Sequence, residues 1–163
     1  MNIKLAGIIN SSIVNGEGIR TVLFGTGCIH NCDGCHNKQL TIYESGNDLD
    51  LDLVIDIVEK NSKVTSKRIT FSGGDPFYQA KEFYELALKL KNKGFNIWCY
   101  TGYTIEQILK SNNSDFINLL NTVDVLVDGR FDKNLLDSSI KYRGSSNQRI
   151  INVKEFLLNL KED

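Results

Sequence analysis

The chain has 163 residues, 41% of them hydrophobic, which is enough for one packed core and too short for two full domains. Its 19 basic and 20 acidic residues give a net charge of -1, so no basic excess attracts a phosphate backbone, and nucleic acid is excluded as a primary partner. No run reaches the roughly 18 to 20 apolar residues of a membrane span and the start has no long apolar core, which predicts a cytoplasmic protein with no membrane contact.

In chain order, Arg20 to Phe24 is a short apolar run ended by glycine, the pattern of a buried strand, and it leads straight into a cysteine-rich loop. Leu51, Val54, Ile55 and Val58 then recur at helical spacing behind the candidate caps Asp48 and Asp50, and Arg68 to Phe71 reads as a strand entering Gly73 and Gly74. The unit repeats: Phe83, Leu86, Ala87 and Leu90 share a helix face, Gly94 lies near its end, and Asn96 to Tyr100 is the next strand. Thr104 and Gln107 form a capping-box pattern for a helix to about Ser111, and Asp124 to Val127 is a fourth strand. Arg149 to Val153 adds a last strand before a helix over Lys154 to Lys161. Such alternation predicts an α/β fold with a parallel sheet and right-handed crossovers, in a single domain over 1–163. A closed eight-fold barrel needs about 200 residues or more, so an incomplete, open parallel β/α barrel is expected.

Three of the four cysteines fall within the eight residues Cys28-Ile-His-Asn-Cys32-Asp-Gly-Cys35. That crowding leaves no even pairing for disulfides and points to metal or cluster chemistry in a reducing compartment. Three thiolates can hold three irons of a [4Fe-4S] cube and leave the fourth iron open to a chelating small molecule. The alternative is a structural zinc site with His30, His36 or Cys99 as fourth ligand, although the second pair of ligands usual in zinc ribbons is missing. A second motif, Phe71-Ser-Gly-Gly-Asp-Pro76, follows the next strand and opens on the same rim. Its glycines permit close approach of backbone to a ligand, and Asp75 is placed to accept from an ammonium group. A plain turn with Pro76 starting a helix is the alternative.

This cysteine spacing followed by SGGDP resembles the radical S-adenosylmethionine superfamily, and GCIHNCDGCHN resembles its glycyl-radical activating branch. Trp98-Cys-Tyr-Thr-Gly-Tyr103, Val127-Asp-Gly-Arg-Phe131 and Tyr142-Arg-Gly-Ser-Ser-Asn-Gln-Arg149 are together similar to the activating proteins of anaerobic ribonucleoside-triphosphate reductase. The stretch Val14-Asn-Gly-Glu-Gly-Ile-Arg20 fits as well, and the likeness runs from about Asn15 to Arg149.

The resemblance implies a radical S-adenosylmethionine barrel and a defined reaction. A reduced [4Fe-4S] cluster cleaves S-adenosyl-L-methionine to methionine and a 5'-deoxyadenosyl radical, which abstracts hydrogen from a glycine of the reductase. The large subunit of anaerobic ribonucleoside-triphosphate reductase is then the protein substrate, and reduced flavodoxin or ferredoxin the electron donor. By position, Cys28, Cys32 and Cys35 bind the cluster, while Gly73, Gly74 and Asp75 hold the methionine amino group. Asp128 and Arg130 orient the methionine carboxylate or the ribose. Many superfamily members carry an aromatic residue before the third cysteine; Gly34 stands there, which leaves adenine to backbone at Gly34 and Cys35 or to His36. Cys99 stands where some activators have an aspartate, and is expected to be a buried strand cysteine. His30 and His36 are expected to line the cluster loop, and Trp98, Tyr100 and Tyr103 to serve packing. The polar segment Arg143 to Arg149 is expected to contact the reductase or to close over the cofactor. Two other functions share some of these features: a small radical enzyme acting on a nucleobase or other small molecule, and a zinc-binding adaptor without chemistry.

Overall fold

The computed structural model describes residues 1–35 and 37–162. Seven strands form one mixed sheet: β1 (Asn2–Ser12), β2 (Arg20–Gly25), β3 (Asn47–Asp50), β4 (Arg68–Gly73), β5 (Asn96–Tyr100), β6 (Val125–Asp128) and β7 (Arg149–Asn152). Their order is β3-β1-β2-β4-β5-β6-β7, so the sheet is open, with β3 and β7 at its edges. The four central strands β2, β4, β5 and β6 run parallel and in chain order, as the alternation predicts. The flanks correct the expectation of an all-parallel sheet, because β1 is antiparallel to both β2 and β3, and β7 is antiparallel to β6. The reason is local. Only residues 13–19 separate β1 from β2, and no α-helix separates β6 from β7, so neither connection contains the crossover that a parallel pair needs.

Among the described residues six α-helices accompany the sheet: α1 (Leu51–Lys60), α2 (Ser62–Thr65), α3 (Ala80–Asn92), α4 (Ile105–Leu109), α5 (Ser114–Thr122) and α6 (Val153–Glu162). Because strand side chains alternate, Leu23, Phe71, Cys99 and Leu126 all face the helices. There they meet the buried stripes of α1 (Leu51, Val54, Ile55, Val58) and α3 (Phe83, Leu86, Ala87, Leu90). The capping box forms as read: Thr104 Oγ1 accepts from Gln107 N at 3.1 Å, and Gln107 Oε1 accepts from Thr104 N at 2.9 Å. Helix α5 escapes the sequence reading, although Asn113 caps it by accepting from the amides of Asp115 and Phe116.

The opposite face of the sheet carries Arg20, Thr70, Trp98 and Tyr100, and the Asn15 to Gly18 loop lies over it. Arg20 is 1% exposed with no carboxylate in hydrogen-bond reach among the described residues; it donates to Thr70 Oγ1, to Asn96 Oδ1 and to the carbonyls of Glu17, Ile69 and Asn96. Its guanidinium also lies 5.5 Å from the Trp98 ring centroid, and burial lowers its pKa to about 10. This residue ties the entry loop to three strands, and Trp98 packs on it, as the sequence expects.

Candidate active site

The carboxyl ends of β2, β4, β5 and β6 open on one rim, the usual place for chemistry in a parallel α/β sheet. A cavity of about 230 Å³ lies there, lined by Cys28, Cys32, Cys35, His30, Gly73 and Gly74 together with parts of the Tyr100 to Gly102, Gly129 to Phe131 and Gly144 to Gln148 segments. Residues over a hundred positions apart in the chain thus share one wall.

The cysteine loop is pinned at its base by backbone hydrogen bonds. Gly27 N donates to Leu40 O at 2.8 Å, Cys28 N to Thr41 O at 3.2 Å, and Asp75 N to Gly27 O at 2.8 Å. Between the cysteines the chain turns back through left-handed conformations at Asn31 and Gly34, and Cys35 N donates to Cys32 O at 3.3 Å. Asn37 Nδ2 then donates to Gly73 O at 3.3 Å and joins the loop to the double-glycine turn. Four thiols are free, and the three of the loop are partly exposed. Burial pushes Cys28 up to about 11 and also raises Cys32, so bare thiolates are disfavoured and a metal must displace the protons. Cys99 is fully buried among the helix-facing core side chains, as the sequence expects, and so does not supply a fourth ligand.

Gly73 and Gly74 do line the cavity, but the fold itself demands them. A Cβ on Gly73, whose φ is +116°, would sit 2.1 Å from Gly25 O, and one on Gly74 would sit 2.5 Å from both Gly27 O and Leu40 O. The two glycines let β4 and its turn press against the start of the cysteine loop.

Asp75 is 2% exposed and is not among the residues lining the cavity. Its Oδ2 accepts from His30 Nε2 at 2.6 Å, Thr101 Oγ1 at 2.9 Å and Gly102 N at 3.0 Å, and its Oδ1 from Phe77 N at 2.9 Å. The sequence assigns Asp75 to the methionine ammonium; in the structure all four of these bonds are to groups of the protein, and the carboxylate lies behind the cavity lining. Pro76 does start a helical turn, with Asp75 as its cap. His30 lines the cavity, as expected of it; its ring is 4.5 Å from that of Tyr103, and its Nδ1 is buried with no partner among the described residues. His36, assigned from sequence to the adenine contact, lies outside the described residues.

Asp128 departs in a similar way from its assignment to carboxylate or ribose. It is 1% exposed, does not line the cavity, and accepts from Arg149 Nε at 3.0 Å, Arg149 Nη2 at 2.6 Å and Ile105 N at 2.9 Å. Arg149 also reaches Glu106 at 2.6 Å, which fastens β7 to β6 and α4. Arg130 is exposed and lines a separate hollow with Asp33, Lys133 and Asn147, beyond Phe131. Gly34 also lies outside the cavity lining, facing Phe131 and Lys133.

The polar Arg143 to Arg149 segment braces itself. Gln148 Oε1 accepts from Gly144 N and Ser145 N, Gln148 Nε2 donates to Gly129 O, and Arg143 Nη1 donates to Gln148 O. Gly144 and Gln148 line the cavity, so the segment supplies one of its walls. A recognition role for Arg149 must contend with its two carboxylate partners. Arg149→Ala is expected to lose roughly 2 kcal/mol of unfolding free energy in urea, less than a fully buried pair because the Arg149 side chain is 45% exposed. An unchanged unfolding free energy would show that water replaces the guanidinium.

Sequence reasoning misses the His30 to Asp75 pair and the Thr101 and Gly102 contacts. The only hint in the sequence is the small polar Thr-Gly that follows β5.

The donor set suits a cluster: three thiols on one loop, facing one cavity, beside a glycine turn. Comparison with known proteins agrees. The 4Fe-4S single cluster domain family matches residues 14–151. The chain is similar to the anaerobic ribonucleoside-triphosphate reductase-activating protein of Enterobacteria phage T4, 36% identical over 141 residues that cover 84% of this chain and 86% of that protein. It is 34% identical over 142 residues to the protein of the same name from Escherichia coli (strain K12), covering 83% and 90% of the two chains. The protein of that name from Pasteurella multocida (strain Pm70) is 33% identical over 152 residues, 90% of this chain and 95% of its own. With a cluster-domain match over most of its length and relatives at this identity over more than four fifths of both chains, the chain belongs to the family of anaerobic ribonucleoside-triphosphate reductase-activating proteins.

Proposed function

We propose that the chain is a radical S-adenosylmethionine enzyme that installs the glycyl radical of an anaerobic ribonucleoside-triphosphate reductase. The observation that carries this reading is the convergence of Cys28, Cys32 and Cys35 with Gly73 and Gly74 on one cavity at the strand ends. When bound, a reduced [4Fe-4S] cluster supplies the electron that cleaves S-adenosyl-L-methionine to methionine and a 5'-deoxyadenosyl radical, the species that takes hydrogen from a reductase glycine.

The chain's own residues hold and shape the site. Cys28, Cys32 and Cys35 would hold the cluster through their thiolates, and with three protein ligands it would keep a site for an amino acid group. Gly73 and Gly74 present backbone to that group, with Gly73 O already fixed by Asn37. Arg130, in the hollow beside Phe131, is an exposed cation proposed to meet a carboxylate or ribose, while Asp128 braces β6 through Arg149 and the start of α4. Adenine is assigned to backbone at Gly34 and Cys35 or to His36, and Cys35 lines the cavity. The open seven-stranded sheet, with four parallel central strands and helices against one face, supports an incomplete barrel of the radical S-adenosylmethionine type, in a single domain. The partners in this reading are the reductase large subunit as substrate and reduced flavodoxin or ferredoxin as electron donor. Free thiols suit the reducing cytoplasm, and no helix among the described residues is long and apolar enough to cross a membrane.

Anaerobic reconstitution tests this. The protein is expected to bind about four irons with matching sulfide, to release 5'-deoxyadenosine with dithionite and S-adenosyl-L-methionine, and to raise a glycyl-radical signal in the reductase. A colourless protein holding zinc would overturn the reading in favour of an adaptor; cofactor cleavage without a reductase radical would point to a small-molecule substrate.

A further inference from the structure

We propose that Asp75 is a positioning residue, one that acts on the cofactor cavity through His30 and not by its own contact with the cofactor. This rests on the function proposed above and concerns how its site is built. The carboxylate sits behind the cavity wall, 2% exposed, with Oδ2 accepting from His30, Thr101 and Gly102 and Oδ1 from Phe77. An ammonium group in the cavity does not face this carboxylate, which is buried and absent from the cavity lining.

His30 is the element of the pair that reaches the cavity. It stands between two of the cluster cysteines, and a ring nitrogen of His30, Cys28 Sγ and an Asp75 oxygen all lie within 4.8 Å of one another. The carboxylate accepts only, so Nε2 is the ring's donor toward Asp75 at 2.6 Å. The ring is wedged as well as bonded: Tyr103 meets it edge-on at 4.5 Å, and a Cβ on Gly102 would lie 2.4 Å from its Cδ2. Its Nδ1 remains buried and unpartnered among the described residues, so the imidazole keeps unused hydrogen-bonding capacity at the cavity. Asp75 thus joins the double-glycine turn and the end of β5 to the cysteine loop, and the ring transmits its hold.

A double-mutant cycle tests the coupling. The parent, Asp75→Asn, His30→Phe, the double variant and His30→Gln are reconstituted anaerobically. Iron and sulfide are counted in each, and the dissociation constant for S-adenosyl-L-methionine is read by titrating its effect on the electron paramagnetic resonance spectrum of the dithionite-reduced cluster. Each single change, Asp75→Asn or His30→Phe, is expected to weaken binding about tenfold, and the double variant also about tenfold. His30→Gln, whose amide nitrogen still reaches the carboxylate, is expected to stay within about threefold of the parent. A loss of about a hundredfold in the double variant would show that Asp75 meets the cofactor independently and would overturn the proposal, as would parental affinity in Asp75→Asn. If Asp75→Asn or His30→Phe fails to retain the cluster, full cluster content in His30→Gln supports the coupling and cluster loss there overturns it. A parent with its cluster in place but no spectral response to S-adenosyl-L-methionine would instead defeat the functional reading itself.

Discussion

Replacing Cys28, Cys32 or Cys35 singly with alanine is expected to abolish cluster retention and to lower 5'-deoxyadenosine release by more than about a hundredfold. All three thiols line one cavity, and the fourth cysteine is too far into the core to substitute. Cys99→Ala removes a small buried apolar group from the helix side of the sheet, so it is expected to cost about 1 kcal/mol of stability while iron content stays at the parental level. Iron and sulfide analysis after anaerobic reconstitution separates the two classes. Full activity in Cys32→Ala, or loss of iron only in Cys99→Ala, would overturn the ligand assignment.

Gly74→Val is expected to destabilise the rim by roughly 3 kcal/mol or more and to remove the cluster along with cofactor affinity. From the sequence alone, this glycine needs only to let a ligand approach, and the same substitution should then spare the cluster. The structure changes that expectation because a Cβ at Gly74 would stand 2.5 Å from the carbonyl oxygens of Gly27 and Leu40, the pair whose own hydrogen bond closes the base of the cysteine loop. Backbone atoms cannot yield as the end of a flexible side chain does, so the loop itself must shift. Urea unfolding and iron content, measured on the same preparation, test this. Parental iron content with weakened S-adenosyl-L-methionine binding alone would restore the simpler role.

The sequence by itself determined the elements whose signals lie within a few residues. The βα alternation of the four central strands, the capping box at Thr104 and Gln107 and the cluster spacing of Cys28, Cys32 and Cys35 are all local, since helical and strand periods and metal-loop spacings repeat over short distances. It also identified Cys99 as a core residue, because a cysteine inside an apolar strand run has few other uses. Strand β1 was not legible: Gly7, Asn10, Ser11 and Ser12 interrupt its alternation, and only its first half, with Ile3 and Leu5, is buried. The antiparallel edges were not legible either, because strand direction depends on what the connection crosses. Tertiary structure alone decided which polar group each site residue serves. Asp75 finds His30 45 positions earlier and Thr101 26 positions later, and Asp128 finds Arg149 21 positions on. The Asp75 partners meet because the parallel register delivers the ends of β2, β4 and β5 to one rim, and Asp128 meets Arg149 directly across the antiparallel β6–β7 pair; in both places a buried carboxylate takes the nearest donors that shield it from the cost of burial.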